Sequence, residues 1–291
     1  MSGTPTNRTT IGLPADIASE IIAKTQEASA IMTLARRIEL PGRGVEIPVI
    51  TSDPVAQWVS ETGAKPVSNP GLTKKIMSAY KLAVIVPFSN EFRRDAAALY
   101  DELVRRLPLA LARKFDETVI GGVAPGSNFD VLTACTAYDI ETSTYAHLVA
   151  ADAEIAAAGG ELNGFAMSPQ GKSVLLGAVD GNQRPLFLNS AVEGVGNQVL
   201  GAPVVISKGA YVAGATEDTI GVAGDWTQAV YGTVEGVKVD FSSDATLIDA
   251  NSQAINLFQQ NMFAVRAEIE IGFRADTNCF ALLTKDAESE S

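Results

Sequence analysis

The sequence predicts an α+β fold in which one long helix and one long strand are accompanied by many short strands. Three observations lead to this prediction. Apolar residues recur at spacings of three and four between Asn90 and Ile120, which indicates an amphipathic helix. Apolar and charged residues alternate between Phe258 and Arg274, which indicates a strand with one buried face. Two alternating segments flank a turn-rich stretch between Leu40 and Pro87, which indicates a long hairpin.

The chain begins with a polar segment followed by a helical pattern. Residues 1–10 are small and polar, which predicts a flexible arm and lacks the apolar centre of a secretory signal. From Pro14 to Arg37, apolar residues recur at helical spacing between charged ones. We therefore expect an amphipathic helix whose apolar stripe needs a partner, either the chain's own core or a neighbouring subunit.

The predicted hairpin has an unusual composition. Its outgoing strand contains Pro48, which suits an edge strand because proline donates no backbone hydrogen bond. A turn-rich stretch containing Trp58 follows, and one returning strand is predicted from Lys74 to Val86. The tip has too few apolar residues to form a core. Such a hairpin is stable only when it lies on another surface.

The predicted long helix has signals at both ends. Ser89 or Asn90 can accept hydrogen bonds from its first amides, and Gly121 is a natural end. A helix of this length spans about 45 Å. Leu103 and Leu107 lie in its apolar stripe, so we expect both to be buried.

The second half of the chain mixes short elements. Its single histidine, His147, falls within a predicted helix and is expected to be half-buried and hydrogen-bonded rather than a catalytic base. The predicted segments are a helix at Thr142–Ala158, a buried strand at Gly164–Ser168, a short helix started by Ser168 and Pro169, a loop at Gly181–Gly201, and strands at Pro203–Ile206, Gly221–Ala223 and Gly236–Phe241.

Charge is distributed unevenly along the chain. The net charge of −12 divides into +2 for residues 1–120 (15 basic, 13 acidic) and −14 for residues 121–291 (7 basic, 21 acidic). A basic groove for phosphate is therefore not expected in the second half. Mean hydropathy is +0.14, and no run of about eighteen apolar residues suggests a membrane span.

Motifs for the common site chemistries are missing from the sequence. The glycine-rich segment after Gly121 has Ser127 where a phosphate loop needs lysine. Two separate cysteines, Cys135 and Cys279, and one histidine do not form a metal-binding pattern, so we expect two ordinary thiols and neither metal nor cofactor. A carboxylate pair brought together by the fold stays open, and with it an unrelated cytosolic enzyme of small oligomeric size.

Six segments carry a resemblance to a known family. They are WVSE at 58–61, FSNEFRRD at 88–95, GNQRPLF at 181–187, GAPVV at 201–205, GDW at 224–226 and NMFAVRAE at 261–268. In this order they resemble major capsid proteins of tailed bacteriophages, which have the Hong Kong 97-type fold. The resemblance extends from about Leu13 to Leu283. It implies an amino-terminal arm with helix (1–40), an E-loop hairpin (41–87), a peripheral domain on a spine helix (88–128 and 232–291) and an axial domain (129–231).

The resemblance also implies a function. We expect a non-enzymatic subunit that assembles into the icosahedral head of a tailed phage as hexamers and pentamers, made in the bacterial host cytoplasm and enclosing double-stranded DNA without sequence-specific binding. No coiled-coil segment precedes the arm, so a separate scaffolding protein is expected, with a portal and decoration proteins as further partners. An encapsulin-like shell that encloses a cargo enzyme is the alternative with the same fold.

Candidate interface residues follow from this expectation. They are Trp58, Glu61 and Lys65 on the hairpin, and Arg93, Arg94, Arg105 and Arg106 on the spine helix. Arg105 and Arg106 follow acidic residues at a spacing of four, so solvated ion pairs on the helix surface are the favoured explanation for these two arginines.

Overall fold

A computed structural model of the chain describes residues 24–25, 28–42, 44–52, 58–59, 65, 67, 71–90, 96–180, 182–190, 194–195, 198–248 and 252–287. Its helices are α1 (Ala30–Leu34), α2 (Ala96–Gly121), α3 (Thr144–Ala157) and α4 (Pro169–Gly177). Its strands are β1 (Arg36–Glu39), β2 (Val45–Ser52), β3 (Gly71–Met77), β4 (Tyr80–Ser89), β5 (Thr136–Asp139), β6 (Gly164–Met167), β7 (Leu188–Ser190), β8 (Gly194–Val195), β9 (Gln198–Val199), β10 (Ala202–Ile206), β11 (Glu217–Gly224), β12 (Ala229–Thr233), β13 (Lys238–Ser242), β14 (Thr246–Ile248), β15 (Ala254–Asn256), β16 (Met262–Ala275) and β17 (Phe280–Asp286).

A five-stranded sheet is organised around β16. One edge of β16 pairs with β4 over ten residues, and its other edge pairs with β13 and then with β12, which is followed by β1. The predicted long strand is confirmed, and its apolar face is buried. It begins at Met262 rather than Phe258, because residues 257–261 form a turn in which Asn261 has a positive φ of 53°.

Helix α2 packs across this sheet. Leu107 and Leu111 form a core cluster with Phe263, Val265 and Ala267 of β16. The predicted burial of Leu107 is confirmed, whereas the side chain of Leu103 lies outside the described part. The helix ends at Gly121 as predicted. The predicted cap by Asn90 is wrong, because its side-chain oxygen accepts no hydrogen bond. Residues 91–95 are outside the described part, so the predicted cap by Ser89 stays a prediction.

The predicted helix from Pro14 to Arg37 is wrong at its carboxyl end. Helix α1 ends at Leu34, and Arg36 begins β1, which pairs in parallel with β12. Hydrogen bonds to a strand almost two hundred residues away take the place of another helical turn. Such a partner leaves no trace in the local pattern.

The predicted returning strand of the hairpin is two strands. β3 pairs with β2 and ends at Met77, while β4 begins at Tyr80 and belongs to the five-stranded sheet. Apolar residues keep their even spacing across the break, so alternation alone gives no sign of it. At the break the backbone approaches Gly272 so closely that a Cβ there would lie 2.6 Å from the Ser78 carbonyl oxygen.

The second sheet has six strands, in the order β5-β17-β11-β6-β10-β9. Helices α3 and α4 confirm the predicted helices, and β6 is buried as predicted. Ser168 accepts a hydrogen bond from the Gly171 amide, and Pro169 occupies the first turn. β17 lies in this sheet, whereas the resemblance implies that residues 232–291 belong to the peripheral domain. β12 extends across residues 231 and 232, where the resemblance implies a domain boundary. Strand pairing between distant segments decides both positions.

Candidate functional site: the extended hairpin and its root

The β2–β3 hairpin is a two-stranded ribbon that lies outside both large sheets. Its strands pair antiparallel from Val45↔Met77 to Ser52↔Gly71, and among the described residues they pair only with each other. Lys74 on β3 donates to Glu46 on β2 at 2.6 Å, and this contact raises the pKa of the exposed lysine. An isolated two-stranded ribbon is marginal in water. The hairpin therefore needs a further surface along its length.

The described residues beyond the paired strands are exposed. Trp58 is fully exposed, Val67 is 87% exposed, and Val59 and Lys65 are exposed as well. Tryptophan contributes a large apolar area and is seldom left uncovered in a stable monomer. Exposed apolar side chains of this kind are typical of contact surfaces.

The other predicted interface residues are described unequally. Arg106 is exposed on α2, so it is available at the surface. Arg105 belongs to α2, but its side chain lies outside the described part, as do Glu61, Arg93 and Arg94. The hairpin residues and the helix residues thus remain a predicted interface.

The root of the hairpin is tightly packed. Leu40, Met77 and Val230 form a small buried cluster where the two hairpin strands enter the body. Gly44 has a positive φ of 83°, and a Cβ there would lie 2.6 Å from the Met77 carbonyl oxygen. The chain therefore enters the hairpin through a turn that a larger residue would strain.

An ion pair lies beside this cluster. Arg274 at the end of β16 contacts Asp130 with an Nη1–Oδ1 distance of 2.6 Å, and their side chains are only 12% and 20% exposed. Lys75 of the hairpin lies 3.7 Å from the other oxygen of Asp130. The sequence placed Arg274 on the solvated face of β16, so this contact was not predicted.

A buried carboxylate joins three segments near the middle of the body. Asp116 of α2 accepts hydrogen bonds from the hydroxyls of Ser29 and Ser207, at 2.5 and 2.6 Å, and from the Ala30 and Ile31 amides. Burial raises its pKa, although these four bonds act in the opposite direction. Sequence reasoning missed this residue. The available signal was one acidic residue within a run of buried apolar positions on a helix.

The open face of the five-stranded sheet carries paired charges. Lys81 lies within 3.5 Å of both Glu268 and Glu270, and Arg266 contacts Asp240 at 2.6 Å. Most of these side chains are substantially solvated, so each pair contributes little to stability. Among the described residues of this face, basic and acidic side chains thus lie in pairs, with no separate basic cluster.

The described residues offer little for catalysis. Within them, no three His, Cys, Asp or Glu side chains group as metal ligands, and no helix is long and apolar enough to cross a membrane. Both cysteines are free thiols, and burial raises the pKa of Cys135 to about 12, which disfavours the reactive thiolate. His147 is half-buried, and its Nδ1 contacts the Asp139 carbonyl oxygen, which confirms the expected structural role.

Comparisons with known proteins agree with this geometry. The model of the phage capsid family matches residues 10–284. The probable major capsid protein of Mycobacterium phage L5 is 28% identical over 94% of this chain and 89% of its own length. A solved chain from Microbacterium phage Oxtober96 is 20% identical, with a TM-score of 0.69, and covers 98% of this chain and 95% of that one. A chain from the capsid of a native GTA particle, computed with C5 symmetry, is 17% identical, with a TM-score of 0.63, and covers 99% and 96%.

Proposed function

This chain belongs to the phage capsid family, and we propose that it is the major capsid protein that builds the icosahedral head of a tailed double-stranded DNA phage. Its α+β fold is of the Hong Kong 97 type. The related proteins are named as capsid proteins, so we propose a structural role without catalytic activity. They give no support to the alternative of an encapsulin-like shell.

The observation that carries this proposal is the hairpin with its uncovered apolar residues. β2 and β3 have no third strand among the described residues, and Trp58 and Val67 are exposed beyond them. In a closed shell, a neighbouring subunit would cover these residues. Each contact would be modest, but every subunit makes several at once, and simultaneous contacts strengthen one another.

The family's four-part division can be adapted to the observed sheets. We propose that the E-loop consists of β2, β3 and the segment between them. The peripheral domain then contains α2 and the five-stranded sheet, including β4 and β12. The axial domain contains the six-stranded sheet, including β17. This assignment keeps each hydrogen-bonded sheet within one domain.

We propose an assembly interface with two components. Trp58, Glu61 and Lys65 on the E-loop would contact a neighbouring subunit, and Arg93, Arg94, Arg105 and Arg106 would offer cations along the spine helix. The exposure of Trp58, Lys65 and Arg106 supports this proposal. Exposed aromatic and arginine side chains are also the types that contribute most often to interfaces.

The partners follow from the proposed role. Subunits would form hexamers and pentamers in the host cytoplasm, guided by a separate scaffolding protein and closed around a portal, with decoration proteins outside. The shell would enclose DNA without reading its sequence. The acidic second half of the chain suits this role, because tight phosphate contacts would hinder movement of DNA during packaging.

Replacing the tip of the E-loop tests the proposal. Ser52 and Gly71 are opposite each other in the hairpin. Residues 53–70 can therefore be exchanged for a two-residue Asn-Gly turn that closes the ribbon. We expect a subunit with the wild-type melting temperature that no longer forms closed shells with its scaffolding protein. Electron microscopy of negatively stained particles measures this outcome, and normal shells from the shortened chain would contradict the proposal.

A point variant with a matched control tests whether a single E-loop residue, Trp58, contributes to assembly. Trp58→Ala should lower the yield of closed shells, because it removes the largest exposed apolar side chain of the E-loop. Val123→Ala is the control, since Val123 is 91% exposed but lies in the loop after the spine helix. Equal yields for the two variants would place Trp58 outside the interface.

A further inference from the structure

Arg274 makes an unusual set of contacts at the root of the E-loop. Its Nε and Nη2 both donate to the Ile76 carbonyl oxygen, at 2.8 and 2.6 Å, and its Nη1 donates to Asp130. Nη2 also lies 3.4 Å from the Ser127 carbonyl oxygen and 3.2 Å from Asn128 Oδ1. One guanidinium thus joins β16, the E-loop strand β3 and the loop that follows the spine helix.

Asp130 completes the connection. Its Oδ2 accepts from the Ala275 amide at 3.2 Å and lies 3.7 Å from Lys75 Nζ, which itself donates to the Ala275 carbonyl oxygen at 3.1 Å. The E-loop is therefore attached through two successive residues, the Lys75 side chain and the Ile76 carbonyl. Asn128 adds hydrogen bonds to Ser78 and Tyr80, directly after β3.

These contacts differ in kind from the apolar cluster at the same place. Leu40, Met77 and Val230 exclude water, but apolar contact has little directional preference. A forked guanidinium fixes distance and angle together, and its hydrogen bonds to a carboxylate are stronger than neutral ones. The contacts of Arg274 therefore constrain the direction in which the E-loop leaves the body, in addition to the apolar packing.

We propose that Arg274, paired with Asp130, is the positioning residue that aims the E-loop at the neighbouring subunit. This inference rests on the proposed function. The paired strands extend about 25 Å from the root. A tilt of about 10° at Arg274 therefore displaces the outer end by about 4 Å, which is enough to lose register with a partner surface. The residue acts on assembly without touching the neighbour.

The experiment compares three full-length variants. Arg274→Gln removes the charge and the fork, and Arg274→Lys keeps the charge without the fork. Arg266→Gln is the matched control, because Arg266 lies on the same strand and contacts an aspartate at the same 2.6 Å but does not touch the E-loop. Hydrogen exchange of unassembled subunits follows the amides of β2 and β3 separately from those of β16. Electron microscopy of particles assembled with scaffolding protein gives the shell diameters.

In Arg274→Gln we expect β2 and β3 amides to exchange about tenfold faster while β16 amides keep their wild-type rate. Closed shells should become fewer and more variable in diameter. The amide exchange rates and shell yield of Arg274→Lys should lie between those of Arg274→Gln and the wild type. Arg266→Gln should match the wild type in both measurements. If Arg274→Gln does not fold, Arg274→Lys alone decides the outcome.

Two results would overturn the inference. One is wild-type exchange and wild-type shells in the Arg274 variants, and the other is loss of the cooperative melting transition in both, which would make Arg274 a folding residue. Failure of the proposed function is distinguishable from either. In that case neither the wild type nor Arg266→Gln forms shells, whereas hydrogen exchange still reports whether Arg274 holds the E-loop.

Discussion

At the scale of single residues, two side chains of low exposure, Asp116 and Arg274, each make several hydrogen bonds that join distant segments. Asp116 is fully buried and receives four hydrogen bonds, which tie the segment before α1 and the segment at Ser207 to the spine helix. Arg274 joins three segments in the same way at the root of the E-loop. A change at either position affects contacts between segments that are distant in the sequence.

The titration of Asp116 makes stability depend on pH. Burial raises its pKa above the ordinary 3.8, so the folded state holds the proton at a pH where the unfolded chain has released it. The stability that the protonated Asp116 carboxyl contributes is therefore fully present below about pH 4. It is lost as the pH rises through the folded-state pKa. Within this window, each pH unit lowers the free energy of unfolding by up to about 1.4 kcal/mol.

Asp116→Asn isolates this effect because the amide does not titrate. We expect the difference in the free energy of unfolding, wild type minus variant, to fall as the pH rises from 4 toward neutrality. Urea unfolding of dilute, unassembled subunits at several pH values measures it. A difference that is constant with pH would mean that Asp116 keeps an ordinary pKa.

At the scale of elements, the spine helix has one buried and one exposed face. Leu107 is 1% exposed and packs on β16, while Leu109, two residues later, is 57% exposed. Leu107→Ala should lower the free energy of unfolding by about 2–5 kcal/mol, because it removes buried apolar contacts and leaves a cavity. Leu109→Ala should change it by no more than about 0.5 kcal/mol. Thermal and urea melts of unassembled subunits check this pair, and equal losses would mean that the apolar face is misassigned.

Elements with a regular local pattern could be predicted from the sequence. The spine helix, the hairpin and β16 have apolar periodicity over many residues, α3 is alanine-rich, and α4 has a start signal in Ser168 and Pro169. β1, β12 and β17 were not predicted, because their positions depend on partners far along the chain. The same reason explains which site residues could be predicted from the sequence and which could not. Trp58 and Lys65 could be located on the hairpin from their neighbours, whereas Asp116 and the Arg274–Asp130 pair exist only once distant segments meet.

At the scale of the whole molecule, charge separates the two halves of the chain. The open face of the five-stranded sheet balances its own charges, and residues 121–291 carry −14. The exposed cations Lys24, Arg36 and Arg37 lie in the first part, near Arg8 in the sequence. We expect contacts with phosphate on the inner wall of the shell to come from these side chains.

We therefore expect unassembled subunits to bind duplex DNA weakly, with a shallow dependence on salt. Each phosphate contact adds about 0.9 to the salt slope, so the double variant Arg36→Gln, Arg37→Gln should lower the slope by about 1.8. Filter binding at several salt concentrations measures it. Arg266→Gln is the control, because that arginine lies among carboxylates. Tight binding with a steep slope that the double variant leaves unchanged would contradict this account.

The pairing of β4 with β16 also determines when the subunit can complete its fold. Residues 80–89 can pair only after residues 262–271 have been synthesised, more than 170 residues further along the chain. Arg274 and its contact to the E-loop come later still. A chain truncated before residue 262 therefore lacks both the pairing of β4 with β16 and the contact of Arg274 with the E-loop. We therefore expect chains truncated before β16 to be unable to enter a shell.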